Sequence, residues 1–292
     1  MLLETDLPDD AEYTVPKERS LQYPYEYFHS QVSFAVAWAH LSGESLEQTL
    51  LEKTALYVKL TDAKLKTPDD LDPRWQEFVS IIQNEDSADT ITSSYFFLYQ
   101  NQPQSEYQDP ISPENDGKHF GFFGFDYYPH NAMNEGKNTI KVHFFNPVPR
   151  GDKSGLHAEF SADRQKDLKR MFEFIKQQHP EAEEVVGGSW LYNLPSYRLS
   201  FPTAFTENMY RLVPPGFDYM AFPSRGNLTF SGDSVWGQFL NRNGGVRAET
   251  YATFLENVHS AETIEDLLNA FPNFTWQPRA PIDVFYKEFQ II

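Results

Sequence analysis

The sequence predicts an α+β protein, with an N-terminal helical region packed on a C-terminal mixed β-sheet domain. Three observations carry the prediction. Apolar residues recur at helical spacing from Tyr25 to about residue 99. A polar stretch at 100–117, "QNQPQSEYQDPISPENDG", breaks the pattern with three prolines. Beyond it, aromatic and β-branched runs alternate with a single strongly amphipathic helix. The expected organisation is an acidic N-terminal arm (1–24), a helical domain (25–99), a linker (100–117) and a mixed-sheet domain (118–292).

The elements follow in order. Phe28, Val32, Ala35, Val36 and Ala39 form one apolar stripe, and Gly43 is placed to stop the helix. Ser45 with Gln48 has the form of a capping box, opening a second helix that runs through Tyr57 and Val58. Asp72 as N-cap, with Pro73 at the first helical position, starts a third helix facing inward through Trp75, Val79 and Ile82. Residues 88–99 read as helix rather than strand. "KHFGFFGFDYY" (118–128) and "NTIKVHFFNP" (138–147) read as adjacent antiparallel strands. A helix from Ser161, its N-cap, to His179 buries Leu168, Met171, Phe172 and Ile175, and "EEVVGGSWLYN" (183–193) supplies the next strand. In that strand Trp190 and Tyr192 share a face, and Asn193 then caps a short helix opened by Pro195. "DYMAFPS" and "NLTFSG" are short strands. "DSVWGQFL", "RAETYATFLENV" and "IEDLLNAF" are helical, and "PIDVFYKEFQII" is a closing strand.

Composition narrows the function classes. With 24 basic against 42 acidic residues the formal charge is −18. That disfavours a phosphate-tracking nucleic-acid surface and adhesion to anionic membranes. Aromatic residues make up 16% of the chain, enough to fill a large core. The absence of cysteine removes disulfides, thiolate metal sites and cysteine nucleophiles together. No run approaches the roughly 18 apolar residues of a membrane span, and the acidic N-terminus lacks a signal-peptide pattern. A cytoplasmic protein acting on a small molecule is expected, with no nucleic-acid or membrane partner.

Candidate chemistry is sparse. The loop Pro149–Gly155 holds Arg150, Gly151, Lys153 and Ser154, parts that suit an anion, although the P-loop spacing is absent. His119, Asp126, His130 and His143 fall on neighbouring strands but lack a compact metal motif, so no metal site is assigned. Neither Ser189 nor Ser234 has the nucleophile-elbow spacing. "GGSWLYNLPSYRLSFP" (187–202) reads in two ways. It is a packed strand-to-helix corner, or a place where glycines let a ligand approach the backbone.

The order strand "IKVHFFN", long loop, amphipathic helix, strand "VVGGSWLYN", short helix "PSYRLSFP" resembles the middle of the GNAT acyltransferase fold. The "SWL" segment resembles the GNAT-like domain of bacterial acyltransferase-like proteins that carry a helical N-terminal half. "SWLYNLPSYR..FP" is also similar to a segment shared by a set of uncharacterised bacterial proteins. The resemblance implies a C-terminal domain of GNAT-like topology and acetyl- or another acyl-coenzyme A as co-substrate. Carried over by position, Phe144, Phe145 and Asn146 would meet the pantetheine. Arg150, Gly151, Lys153 and Ser154 would face the pyrophosphate. Asn193 and Tyr197 would lie where the family places cofactor-contacting and proton-donating groups. Tyr197 would protonate the leaving thiolate, and His143 would take the proton of an amine-bearing acceptor. The alternative is a non-catalytic protein that binds a small ligand or a protein partner within a GNAT-like shell.

Overall fold

The computed structural model describes residues 23–61, 71–101, 119–131, 134–144, 155–211, 221–222, 227–228, 233–240 and 245–292. Contacts divide the chain into two units. One comprises Met1–Val15, Gln108–Arg211 and Thr275–Ile292, the other Pro16–Tyr107 and Leu212–Phe274. Residues 212–274, expected within the mixed-sheet domain, therefore group with the helices. Each unit has its own hydrophobic core.

The helical unit opens with α1 (Tyr25–Ser42), which ends where Gly43 adopts φ 76° and returns its N–H to the Ala39 carbonyl. In α2 (Leu46–Lys53) the Ser45 hydroxyl accepts from Gln48 N–H, but the Gln48 side chain turns to Glu52, so only half of a capping box forms. The expected long second helix breaks at Thr54, and α3 (Leu56–Thr61) follows. Buried Gln31 of α1 explains the break: its Oε1 accepts the Ala55 N–H at 2.7 Å, and its Nε2 donates to the Tyr27 carbonyl. An amide satisfied from a neighbouring helix no longer needs its own i−4 carbonyl. α4 (Pro73–Ile82) is capped by Asp72, whose Oδ1 accepts Arg74 N–H at 2.9 Å, and buries Trp75, Phe78 and Ile82. α5 (Ala88–Gln100) completes this run, and Tyr95 Oη donates to the Leu56 carbonyl in the core.

The sheet unit begins with β1 (His119–Phe120) and β2 (Phe123–Asn131), joined by a tight turn at Gly121, φ 61°. A Cβ there would run into the Asp167 carboxylate, which accepts Phe122 N–H at 3.1 Å. β3 (Lys137–Phe144) pairs antiparallel with β2. α6 (Ser161–Gln178) follows a single 3₁₀ turn, Ala158–Phe160, so Ser161 lies inside the helix and is not its cap. β4 is only Glu184–Val186, far shorter than the expected 183–193. At Ser189 the side chain accepts Leu191 N–H, and the chain winds into a 3₁₀ turn, Trp190–Asn193. Trp190 and Tyr192 therefore do not share a strand face. α7 (Pro195–Arg198) has Leu194, not Asn193, at its N-cap. α8 (Thr203–Thr206) and β5 (Met209–Arg211) follow.

The chain then returns to the helical unit. β6 (Ala221–Phe222) and β7 (Asn227–Leu228) form a small antiparallel pair. α9 (Asp233–Trp236), α10 (Ala248–Ser260) and α11 (Ile264–Asn269) add Trp236, Phe254, Val258, Leu267 and Phe271 to the core around Phe34 of α1. The tail re-enters the sheet unit as β8 (Trp276–Pro281) and α12 (Ile282–Glu288). The expected closing strand at 281–292 is thus helical. Ile282, Phe285 and Phe289 lie at i, i+3 and i+7, and Phe285 stacks on Phe172 of α6 at 4.4 Å.

The result is a mixed α/β protein with a six-stranded mixed sheet in the order β1-β2-β3-β4-β8-β5. Every neighbouring pair is antiparallel except β3 and β4, which are parallel and joined through α6. Ile140, Val142 and Val185 face Leu168, Met171, Phe172 and Ile175 of α6 in the core. Alternate residues Asp126, Tyr128, Thr139, Lys141, His143 and Glu184 line the opposite, polar face.

Candidate functional site at a fork in the sheet

β3 and β4 run together for three pairs, Thr139 with Glu184, Ile140 with Val185 and Lys141 with Val186. There they separate. Gly187 N–H turns to the Pro278 carbonyl at 3.1 Å, and Ser189 pairs with Trp276, so this segment stays with β8. Val142, His143 and Phe144 continue alongside β2. The sheet therefore divides at Lys141 and Val186.

Rings fill the core side of this fork. Phe144 meets Tyr197 edge-on at 5.3 Å, and Tyr197 meets Tyr192 at 4.9 Å and Phe201 at 5.1 Å. The Tyr192 hydroxyl occupies the space that a Cβ at Gly187 would need. The glycine expected to admit a ligand thus admits a neighbouring side chain. Tyr197 is 2% exposed. Burial drives its phenol far above the ordinary value of 10, with the Tyr192 hydroxyl offsetting a little of the shift. The position expected to supply a proton to a leaving group is a packed core ring.

Asn193 is also occupied. Its Oδ1 accepts Trp276 Nε1–H at 2.8 Å, and its Nδ2 donates to the Trp190 carbonyl. It ties the 3₁₀ turn to β8. Phe144 and Tyr197 are brought together, then, while Asn193 faces β8 and His143 projects to the polar face. Phe145, Asn146, Arg150, Gly151, Lys153 and Ser154 lie outside the described residues.

On the polar face, the register places Asp126 of β2 directly opposite Lys141 and diagonal to His143. His143 Nε2 and Asp126 Oδ2 are 2.8 Å apart, with side chains 32% and 44% exposed. Tyr128 Oη donates to the same carboxylate oxygen at 3.3 Å. The hydrogen bond with His143 holds the Asp126 pKa down at about 2, against the opposing effect of partial burial. Desolvation, then the charge of Asp126, pushes Tyr128 up to about 12. An ionised Asp126 can only accept, so His143 carries its proton on Nε2 and its lone pair on Nδ1. This is an oriented histidine base on an open surface. Its histidine is legible in the sequence; its carboxylate partner is legible only as one of several acids near it. Among the described residues no group of three His, Cys, Asp or Glu side chains is placed to hold a metal ion.

Arg164 was not among the expected site residues. It is buried at the start of α6, and its hydrogen bonds run to neutral oxygens. Nε donates to Ser200 Oγ at 2.9 Å, Nη1 to the Gly155 and His157 carbonyls, and Nη2 to the Ser196 carbonyl at 3.3 Å. Burial lowers its pKa. The guanidinium fastens the segment leading into α6 to α7. The signal was present: Arg164 precedes Leu168, Met171 and Ile175 on the inward stripe of α6, where a cation must find buried acceptors.

The helical unit has a second histidine–carboxylate pair. His29 of α1 is buried, with Nε2 3.1 Å from Asp89 Oδ1 of α5 and Nδ1 2.7 Å from Tyr251 Oη of α10. Among the described residues no helix is long and apolar enough to cross a membrane. Comparison with family profiles, curated proteins and solved structures finds no match to the chain.

Proposed function

We propose that the protein is an acyl-coenzyme A-dependent N-acyltransferase with a sheet of GNAT-like topology, acting on a small amine-bearing substrate. The observation that carries this reading is the single parallel pair, β3 with β4, that parts after Lys141 and Val186 in an otherwise antiparallel sheet. Beyond that point the edge of β3 that faced β4 turns its backbone groups toward a gap, where strand N–H donors can polarise a thioester carbonyl. His143 takes the proton of the attacking amine through Nδ1, and Asp126 fixes the ring and stabilises its charged form. Tyr197 has no proton-transfer role in this reading, because its hydroxyl is enclosed by rings. The leaving thiolate regains a proton from the imidazolium or from water.

Thermal unfolding with acetyl- and longer acyl-coenzyme A tests the reading. A ligand at a hundred times its Kd adds about 2.7 kcal/mol and raises the unfolding temperature. Thiol release in the presence of a panel of amines then measures transfer. No shift with any thioester at millimolar concentration would remove the coenzyme from the account.

The rings in the fork favour a second reading, a GNAT-like shell that holds a small ligand or a protein partner without transferring an acyl group. Coenzyme A binding without thiol release to any amine would select it.

A further inference from the structure

Lys141 stands where the sheet divides. It is the last residue of β3 to pair with β4, opposite Val186, and on its other flank it pairs with Asp126 of β2. Cross-strand partners project to one face, and so do residues two apart on a strand. The amine therefore shares the polar face with the Asp126 carboxylate and with His143. Val186 beside it is buried and apolar. Lys141 itself is partly buried. Desolvation brings its pKa down to about 8, with the charge of Asp126 opposing the drop. Near pH 8 about half of such side chains are neutral, roughly a hundred-fold more than for an ordinary lysine.

We propose that Lys141 is an amine nucleophile that takes an acyl group from a thioester, so that the protein acylates itself at the fork. The Nζ lone pair adds to the thioester carbonyl carbon, the C–N bond forms, and the C–S bond breaks with its electron pair leaving on sulfur. The proton lost by nitrogen passes to His143 Nδ1 and then to the thiolate. The products are an amide on Lys141 and a free thiol, with no change of oxidation state. Acylation removes a positive charge beside Asp126 and sets an uncharged amide at the mouth of the fork. The proposal rests on the transferase reading only for the coenzyme as natural donor; the reactivity of the amine is a separate claim.

The test uses the full chain at pH 8 with two donors in parallel, acetyl-coenzyme A and the small thioester S-acetyl-N-acetylcysteamine. Acetylation is followed at each lysine by peptide mass spectrometry, with exposed Lys166 and Lys287 as internal references. Lys141 is expected to react about ten-fold faster than either reference, the gain in neutral fraction being reduced by the lower nucleophilicity of a weaker base. Its rate should level off above pH 8 while the references continue to rise. His143→Gln should slow labelling at Lys141 and leave Lys166 and Lys287 unchanged. Labelling by the small thioester alone would support the lysine and count against the coenzyme. Labelling of Lys141 no faster than the references with both donors would overturn the proposal. So would a protein that releases thiol to an added amine while Lys141 stays unmodified, an outcome that leaves the transferase reading standing.

Discussion

Two histidine–carboxylate pairs, one in each unit, differ in which partner meets water. His143 and Asp126 are both open, and the pair lies on the free polar face of a sheet. His29 is 10% exposed while its partner Asp89 is 84% exposed, and both ring nitrogens of His29 are engaged, one by Asp89 and one by Tyr251. The same two residue types therefore do different work. A buried ring bonded on both sides ties α1 to α5 and α10. A surface ring held on one side by an ionised carboxylate can exchange a proton with a ligand. Pairing alone does not distinguish the two; the distribution of burial does.

Replacing each histidine separates them. His143→Gln should reduce acyl transfer about 10²- to 10⁴-fold, the usual contribution of a general base. The unfolding temperature should stay within about a degree, since surface substitutions change stability little. Thiol-release kinetics and calorimetry check both halves. His29→Ala should do the reverse. It strands the Tyr251 hydroxyl and opens a small cavity, at a cost of about 1–3 kcal/mol read from the urea midpoint. Transfer per folded molecule should be unaffected.

The smallest effect concerns pH. Burial lowers the His29 pKa, with Asp89 opposing, His259 adding to the drop and Glu26 resisting it. The unfolded chain, with an ordinary histidine near 6.5, then binds the proton first as pH falls. The stability associated with the neutral ring is complete above about pH 6.5 and is lost as pH falls toward the folded-state value. Urea unfolding between pH 5 and 7 should show this slope in the wild type and lack it in His29→Gln. An equal slope in both proteins would assign the pH dependence elsewhere.

Much of the fold was legible because its signals are local. Gly43 stops α1, Asp72 and Pro73 start α4, and the apolar stripe of α6 is unambiguous. Misreadings arose where distant partners decide. Gln31 breaks the second helix from another helix, and β8 draws Gly187 and Ser189 away from β3. The tail after Pro281 carries both an alternating and a helical pattern, and packing on Phe172 selects the helix. The site was half legible. His143 could be placed on its strand, but its partner depends on register, and the β2–β3 register shifts between Tyr128 and Asn131. No count along the sequence predicts that irregularity.

Between β5 and β8, neighbours in the sheet, the chain leaves through Leu212–Phe274 and supplies Phe254, Leu267 and Phe271 to the helical core. β8 in turn sits between β4 and β5, so the strand that closes the sheet is among the last segments to be synthesised. Neither unit can be isolated by one cut. A fragment ending before residue 212 has helices without half of their aromatic partners and a sheet missing an interior strand. Ribosomal emergence of the C-terminus is therefore the event that permits both halves to reach their final packing.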